Sequence, residues 1–230
     1  TEEDRALVRR TLREKVILPA YREYVLADRV PFPGSNWIGL ITGGAVACIA
    51  AADGDGADME EMERCLTGLL IKMKRHIEAT FLPDGSYGEG LGYQFFSMRN
   101  LLQASVWLDR LYGIDIVRGT TMGGSLWYAL YSGKSGRSDS LVFGDSGEVQ
   151  VSPALTAIAV LSRSDENNAF LQYGKQLMKH LSIASADSFV CRALLAWPPD
   201  WARAAGPESL PLSHHFAANG SVLFRSGWGE

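Results

Sequence analysis

Met62-Glu63-Arg64-Cys65-Leu66-Thr67-Gly68-Leu69-Leu70-Ile71-Lys72-Met73-Lys74-Arg75-His76-Ile77 is the stretch that decides the fold class. Met62, Leu66, Leu69, Met73 and Ile77 recur every three or four residues. That spacing draws one apolar stripe on an α-helix and fits no strand. Glu60, Glu63, Arg64, Lys72 and Lys74 read as the face turned to water. A start signal precedes the stripe. Asp58 followed by Glu61 has the form of a capping box, and Asp53-Gly54-Asp55-Gly56 reads as the turn before it.

The same period extends in both directions. Towards the N-terminus, Val8, Leu12, Val16, Ala20 and Tyr24 recur every fourth residue, with Arg9, Arg10, Arg13 and Glu14 opposite. That helix should stop before Pro31-Phe32-Pro33-Gly34. A second helix begins near Trp37 and is apolar nearly all round, so it is predicted to be buried on most sides. Beyond a glycine-rich loop, a further helix runs from about Tyr93 to Tyr112. Met98, Leu101, Ser105, Leu108 and Tyr112 share one face, and Gly113 ends it. Shorter helices are expected over 122–131, 153–162, 167–181 and 187–196, the second opened by Ser152-Pro153 as N-cap and first helical residue. After Trp197-Pro198-Pro199 the pattern changes. Asn219-Gly220 marks a turn and Ser221–Arg225 reads as a short strand, with residues 210–216 as its one candidate partner.

The expected fold is therefore all-α, built from antiparallel helix pairs over residues 1–205. Residues 206–230 are read as a linker and the first strand of a following β domain, which implies that the protein continues past Glu230. Helix pairs in series stack into a solenoid or close into an α/α toroid. No repeat of about 34–40 residues is visible, which argues against the common helical arrays.

Composition narrows the function classes. The chain has 230 residues, 47% of them hydrophobic and 21% charged, with a net charge of −4. That balance suits a folded domain and lacks the basic footprint of a nucleic-acid binder. No run reaches the roughly 18–20 apolar residues of a membrane span. Cys48, Cys65 and Cys191 are far apart, form no CxxC pair and lie in apolar helical patterns, so they read as core residues, not as a zinc site or a disulfide framework. His76 and His180 are read as structural residues on or near solvated faces, and His214 and His215 as loop residues. Neither a metal nor a cofactor is expected. Thr1 is followed at once by a charged helix, so these residues contain no secretory signal.

Two segments are unusual for a purely structural bundle. One is Ser35-Asn36-Trp37. The other, Asp84-Gly85-Ser86-Tyr87-Gly88-Glu89-Gly90-Leu91-Gly92-Tyr93-Gln94, sets glycines, carboxylates and tyrosines together just before a helix. Glycine lets backbone approach a ligand closely, and loops on rigid scaffolds commonly carry sites. The plainer reading is an interhelical turn, with Asn36 as an N-cap and the tyrosines packed.

Three pieces together carry a resemblance. They are Asn36-Trp37-Ile38-Gly39-Leu40-Ile41-Thr42-Gly43-Gly44; Asp84-Gly85-Ser86-Tyr87 with Glu89-Gly90-Leu91-Gly92-Tyr93; and Phe143-Gly144-Asp145-Ser146, backed by Val222–Trp228. In that order the chain resembles the helical domain of the heparinase II/III-like polysaccharide lyases, which include oligoalginate lyases. The resemblance implies an incomplete (α/α) toroid followed by a β-sandwich-like domain, with the site between them. The implied reaction is β-elimination at a 4-linked uronic acid: a base removes the C5 proton and an acid protonates the oxygen leaving C4.

On that resemblance Tyr93 is the catalytic tyrosine, and Asn36 neutralises the sugar carboxylate as the enolate forms. Their separation along the chain fits the family's spacing. A phenol ordinarily ionises near pH 10, so Tyr93 needs no shift to act as acid but needs donors or a cation nearby to act as base. Trp37 departs from the histidine that many members carry after the Asn. An indole offers one N–H and no titratable group, leaving it to stack on a sugar or to pack. Tyr87, Glu89, Arg99 and Asp145 complete the expected substrate-binding set, with Glu89 and Arg99 supporting Tyr93. The partner implied is an acidic polysaccharide or oligosaccharide of the glycosaminoglycan or alginate type, and the location implied is the periplasm or outside the cell. Two other readings stay open. Glu89 and Asp145 could serve a toroid glycoside hydrolase, with a buried partner of the glycine loop and a turn residue as their plainer roles. The domain could also bind carbohydrate without catalysis.

Overall fold

The computed structural model describes residues 1–52, 59–118, 120–133, 141, 151–161, 170, 171, 174, 197, 208 and 210–228. They are mainly helical, with a two-stranded antiparallel sheet near the C-terminus. The chain forms two compact units. The first comprises Thr1–Thr80 with Ser97–Ile116, and the second Phe81–Phe96 with Val117–Glu230.

The first unit opens with one long helical run that changes its pitch. It comprises α1 (Glu2–Leu12), a π-helical stretch Arg13–Ile17, α2 (Leu18–Ala20) and a second π stretch Tyr21–Leu26. Thr1 caps it through a reciprocal box with Asp4. The regular α-period expected here breaks at Pro19. Proline donates no hydrogen bond and its ring crowds the carbonyl four residues back, so the turn widens just before it. Because α1 itself buries none of its residues, Val8 stays about half exposed and lies off the core, against the stripe expected from sequence. The core contacts begin at Ile17, Leu18 and Ala20.

α3 (Asn36–Ala52) packs on this run and on α4 (Met59–Thr80). Ile38, Gly39, Thr42, Gly43, Ala45, Val46 and Ile49 are buried, whereas Leu40, Ile41, Gly44, Ala47 and Cys48 on the opposite side are only half-buried, so the burial on most sides expected from the apolar pattern is complete on one side alone. Gly43 is where α3 meets the backbone of α5 (Leu91–Tyr112). A Cβ there would stand 2.6 Å from main-chain atoms of Asn100 and Leu101. Asn100 also donates its amide to the Leu40 carbonyl at 2.8 Å. On α4, Cys65, Leu69, Met73 and Ile77 form the buried stripe, and Gly68 leaves room for the ring of Tyr21.

Several polar residues of α4 depart from expectation. Lys72, read as solvated, is nearly buried: its ammonium pairs with Asp28 and donates to the Val30 carbonyl at 3.0 Å. His76, read as lying near a solvated face, is fully buried. Glu61 pairs with Arg13 at 2.5 Å. Asp58 and the Asp53–Gly56 turn lie outside the described residues. α5 begins at Leu91, two residues before the expected Tyr93. It ends as expected at Gly113, whose φ of 66° terminates the helix.

In the second unit, a 3-10 turn Thr121–Ser125 leads into α6 (Leu126–Ser132). α7 spans Val151–Leu161, so Ser152-Pro153 falls inside its first turn and not at the cap. Of the two later helices expected, only Phe170, Leu171 and Gly174 are described, all helical; 187–196, His180 and Cys191 lie outside the described residues. The C-terminal strand has its partner. β1 (Ser213–Phe216) pairs with β2 (Ser221–Phe224) in the register Ser213 to Phe224 and Phe216 to Ser221, across a turn in which Gly220 has φ 74°. His214 and His215 are thus strand residues, not loop residues. Alternation sends Phe216 and Leu223 inward and leaves Val222 and Phe224 exposed. The inner face packs edge-on against α6: the Tyr128 and Phe216 centroids are 5.1 Å apart, and those of Tyr131 and Trp228 5.2 Å. Arg225 donates to the carbonyls of Leu130, Tyr131 and Gly133, which end α6, while its guanidinium lies 4.4 Å from the centroid of the Trp228 ring.

Candidate functional site

The candidate residues sit where two loops turn into helices, one in each unit. In the first unit the segment before α3 is locked by short-range turns. Ser35 N–H donates to the Phe32 carbonyl at 3.2 Å, and Ile38 N–H to the Ser35 carbonyl at 3.0 Å. Gly34 is buried with the Phe32 ring against its backbone, so close that a Cβ there would meet the ring at 2.5 Å. Asn36 is the first residue of α3 and not its cap. It is almost buried, whereas Trp37 beside it is 55% exposed.

Beneath that opening lies a polar pair that sequence reasoning did not single out. His76 Nδ1 is 2.8 Å from the Pro33 carbonyl oxygen, and Nε2 is 2.6 Å from Ser97 Oγ. A carbonyl can only accept, so Nδ1 carries the proton and the neutral ring accepts from the Ser97 hydroxyl. Burial pushes the imidazole below its ordinary range, and the bond to Pro33 opposes this only in part. Gly39 on α3 faces the pair. A Cβ there would stand 2.2 Å from Ser97 Oγ and 2.7 Å from His76 Nε2. The hint available in the sequence was a histidine inside the Met73–Ile77 stripe.

In the second unit the glycine-rich loop is a miniature hairpin. Phe81 bridges Tyr87, Leu82 N–H donates to Ser86 carbonyl at 2.9 Å, and Gly85 N–H returns to Leu82 carbonyl at 2.9 Å. Gly85 has φ 83°, and a Cβ there would meet the Gly124 carbonyl oxygen at 2.2 Å. Asp84 is the hub. One carboxylate oxygen accepts from Ser86 N–H at 3.1 Å and Ser86 Oγ at 2.6 Å, the other from Ala218 N–H at 2.7 Å, in the turn between β1 and β2. Burial works against this charge, but the donors from Ser86 and Ala218 outweigh it and hold the carboxyl below the usual carboxylate range.

Gly90, at φ 88°, closes the next turn, and its carbonyl accepts the first bond of α5 from Gln94 N–H at 3.0 Å. Tyr93 stands in that first turn, half-buried. The buried Gln94 next to it donates its amide to the Ser125 carbonyl at 2.9 Å, which anchors the turn.

Asn36, Trp37 and Arg99 therefore belong to the first unit, and Tyr87, Glu89 and Tyr93 to the second. Tyr87 is 1% exposed, with its ring 5.2 Å from that of Phe81. It fills the core of the second unit and presents no face to a sugar, because the hairpin turns it inward. Glu89 and Arg99 are exposed, so Glu89 is not the buried partner of the glycine loop. Asp145 and the Phe143–Ser146 motif lie outside the described residues. Among the described residues, no group of three or more His, Cys, Asp or Glu side chains is placed to hold a metal ion, and no helix is long and apolar enough to cross a membrane. Cys48 and Cys65 are free thiols, and burial pushes both above their ordinary range. Compared with known proteins, the chain has no significant match to a family model, a curated protein or a solved structure.

Proposed function

We propose that this chain is the helical part of a polysaccharide lyase that cleaves uronic-acid-containing chains by β-elimination, with its helices arranged as an incomplete (α/α) toroid. The support is the ordered resemblance to the heparinase II/III-like family. The observation that carries it is the setting of the two implied reacting residues. Asn36 and Tyr93 each stand in the first turn of a helix, directly after a loop held by hydrogen bonds, from α4 in the first case and largely within the loop in the second. Such a setting holds a side chain steady for chemistry in a way a mobile loop does not. In this reading Tyr93 gives or takes the proton, and the Asn36 carboxamide donates to the substrate carboxylate as charge builds on it. Exposed Trp37 offers a face on which a sugar ring stacks.

The test uses the full-length protein and a panel of uronate polymers, following the ultraviolet absorbance of the new C4–C5 double bond. Tyr93→Phe should lower turnover on the order of 10²–10⁴-fold. Wild-type turnover in that variant would remove Tyr93 from the mechanism.

A second reading, carbohydrate binding without turnover, is favoured by one observation: an exposed indole at position 37, where many family members carry histidine. Oligosaccharide binding that is lost in Trp37→Ala, with no double bond formed by the wild type, would select it. New reducing ends without unsaturation would select hydrolysis instead.

A further inference from the structure

We infer that His76 is a positioning residue for the opening of α3, acting through its hydrogen bond to the Pro33 carbonyl to set where Asn36 and Trp37 stand. What Asn36 does once placed rests on the reading proposed above; the placement itself does not.

Four observations carry the inference. Between Pro33 and Asn36 lie only Gly34 and Ser35, and both are locked: Gly34 under the Phe32 ring, Ser35 in a turn with Phe32. The segment has no slack, so a shift at Pro33 is passed on to Asn36. The grip is repeated one helical turn earlier on α4, where Lys72 holds the Val30 carbonyl and Asp28. Residues 72 and 76 share a face of α4, so two donors seize two carbonyls of the same strap. Third, the imidazole is fully buried and both ring nitrogens are engaged. Enclosure of the ring holds its rotation, and the Pro33 carbonyl, which can only accept, fixes the proton on Nδ1. Fourth, Gly39 brings the first turn of α3 directly over the edge of the ring, so the imidazole touches both the strap and the helix it leads into.

The experiment separates the Pro33 bond from simple filling of the core. In the full-length protein, His76→Asn places an amide nitrogen near the position of Nδ1, and His76→Gln places one near Nε2. The first readout is the side-chain amide resonance of Asn36, together with the indole resonance of Trp37. The second is kcat against KM on a uronate polymer. His76→Gln is expected to move the Asn36 resonance and to lower kcat on the order of 10²-fold, the cost of a misplacement near 1 Å. KM should change little, because the Asn36 donor matters most where charge develops. His76→Asn should keep both readouts near wild type.

Equal behaviour of the two variants would overturn the inference. If neither folds, Ser97→Ala decides, since it leaves the Pro33 bond in place: retained kcat and resonance support the inference, and their loss ends it. A wild type that makes no unsaturated product from any polymer ends the lyase reading alone. The Asn36 resonance then judges His76 by itself.

Discussion

Two loop-to-helix junctions solve the same problem by opposite means. The strap before α3 is held from outside: Lys72 and His76, some forty residues further along the chain, reach its carbonyls from α4. The loop before α5 is held mostly from within. Pro83-Asp84-Gly85 makes a tight turn, Asp84 caps Ser86, and Gly85 and Gly90 take up positive φ. Asp84 also ties it to a distant residue, Ala218. A junction made by local turn chemistry is specified by the residues that form it. A junction made by distant donors exists only once the helices have packed.

This contrast can be broken in order of expected effect. Gly85→Ala strikes the locally built junction, where a Cβ must accept φ 83° and a clash with the Gly124 carbonyl. The left-handed conformation costs about 1–2 kcal/mol and overpacking about 1–3 kcal/mol more. Chemical denaturation should show a loss of at least about 2 kcal/mol; a loss below half of that would mean that the loop does not need its glycine.

His76→Asn spares the Pro33 bond of the other junction but removes the titrating ring, and its signature is a pH dependence. Burial depresses the folded-state pKa of His76, so the unfolded chain takes up a proton near pH 6.5 that the folded chain refuses. Native stability from this group is therefore present above about pH 6.5. It falls as pH drops below that value, by at most about 1.4 kcal/mol per pH unit. The asparagine variant lacks this term, so the stability gap between wild type and variant should narrow on acidification. A gap independent of pH between 7 and 5 would show that His76 titrates normally.

The smallest effect belongs to Lys72→Met. Asp28, its charged partner, is more than half exposed, and such pairs contribute about 0–1 kcal/mol. Global stability should hardly change, while hydrogen exchange at the strap, residues 28–35, should quicken. Unchanged exchange there would leave His76 as the sole grip that matters.

Much of the helical plan was legible in the sequence. The stripe Leu69-Met73-Ile77, the all-round apolar α3, the stop at Gly113 and the Asn219-Gly220 turn all follow from periodicity and turn chemistry, which act over a few residues. The errors have a common cause. Val8 kept the helical period yet faces solvent, because a stripe says which residues share a face and not whether anything covers it. Lys72 and His76 carry charge or a titratable ring, so pattern reading sent them to water. His76 is buried and Lys72 nearly so, and each is matched there by a carbonyl of the strap. Tyr87 looked like a loop residue free to meet a ligand, and the hairpin folds it inward. Ser97 gave no local signal, since its partner lies on a different helix.

By itself the sequence determined the helices, their breakers and the glycine turns, because each is a matter of backbone torsion and side-chain period within one or two turns of chain. Only the tertiary structure decided which polar side chains would be taken out of water. A buried donor or acceptor must be matched, and its match is supplied by whatever residue packing brings alongside, however distant in the chain.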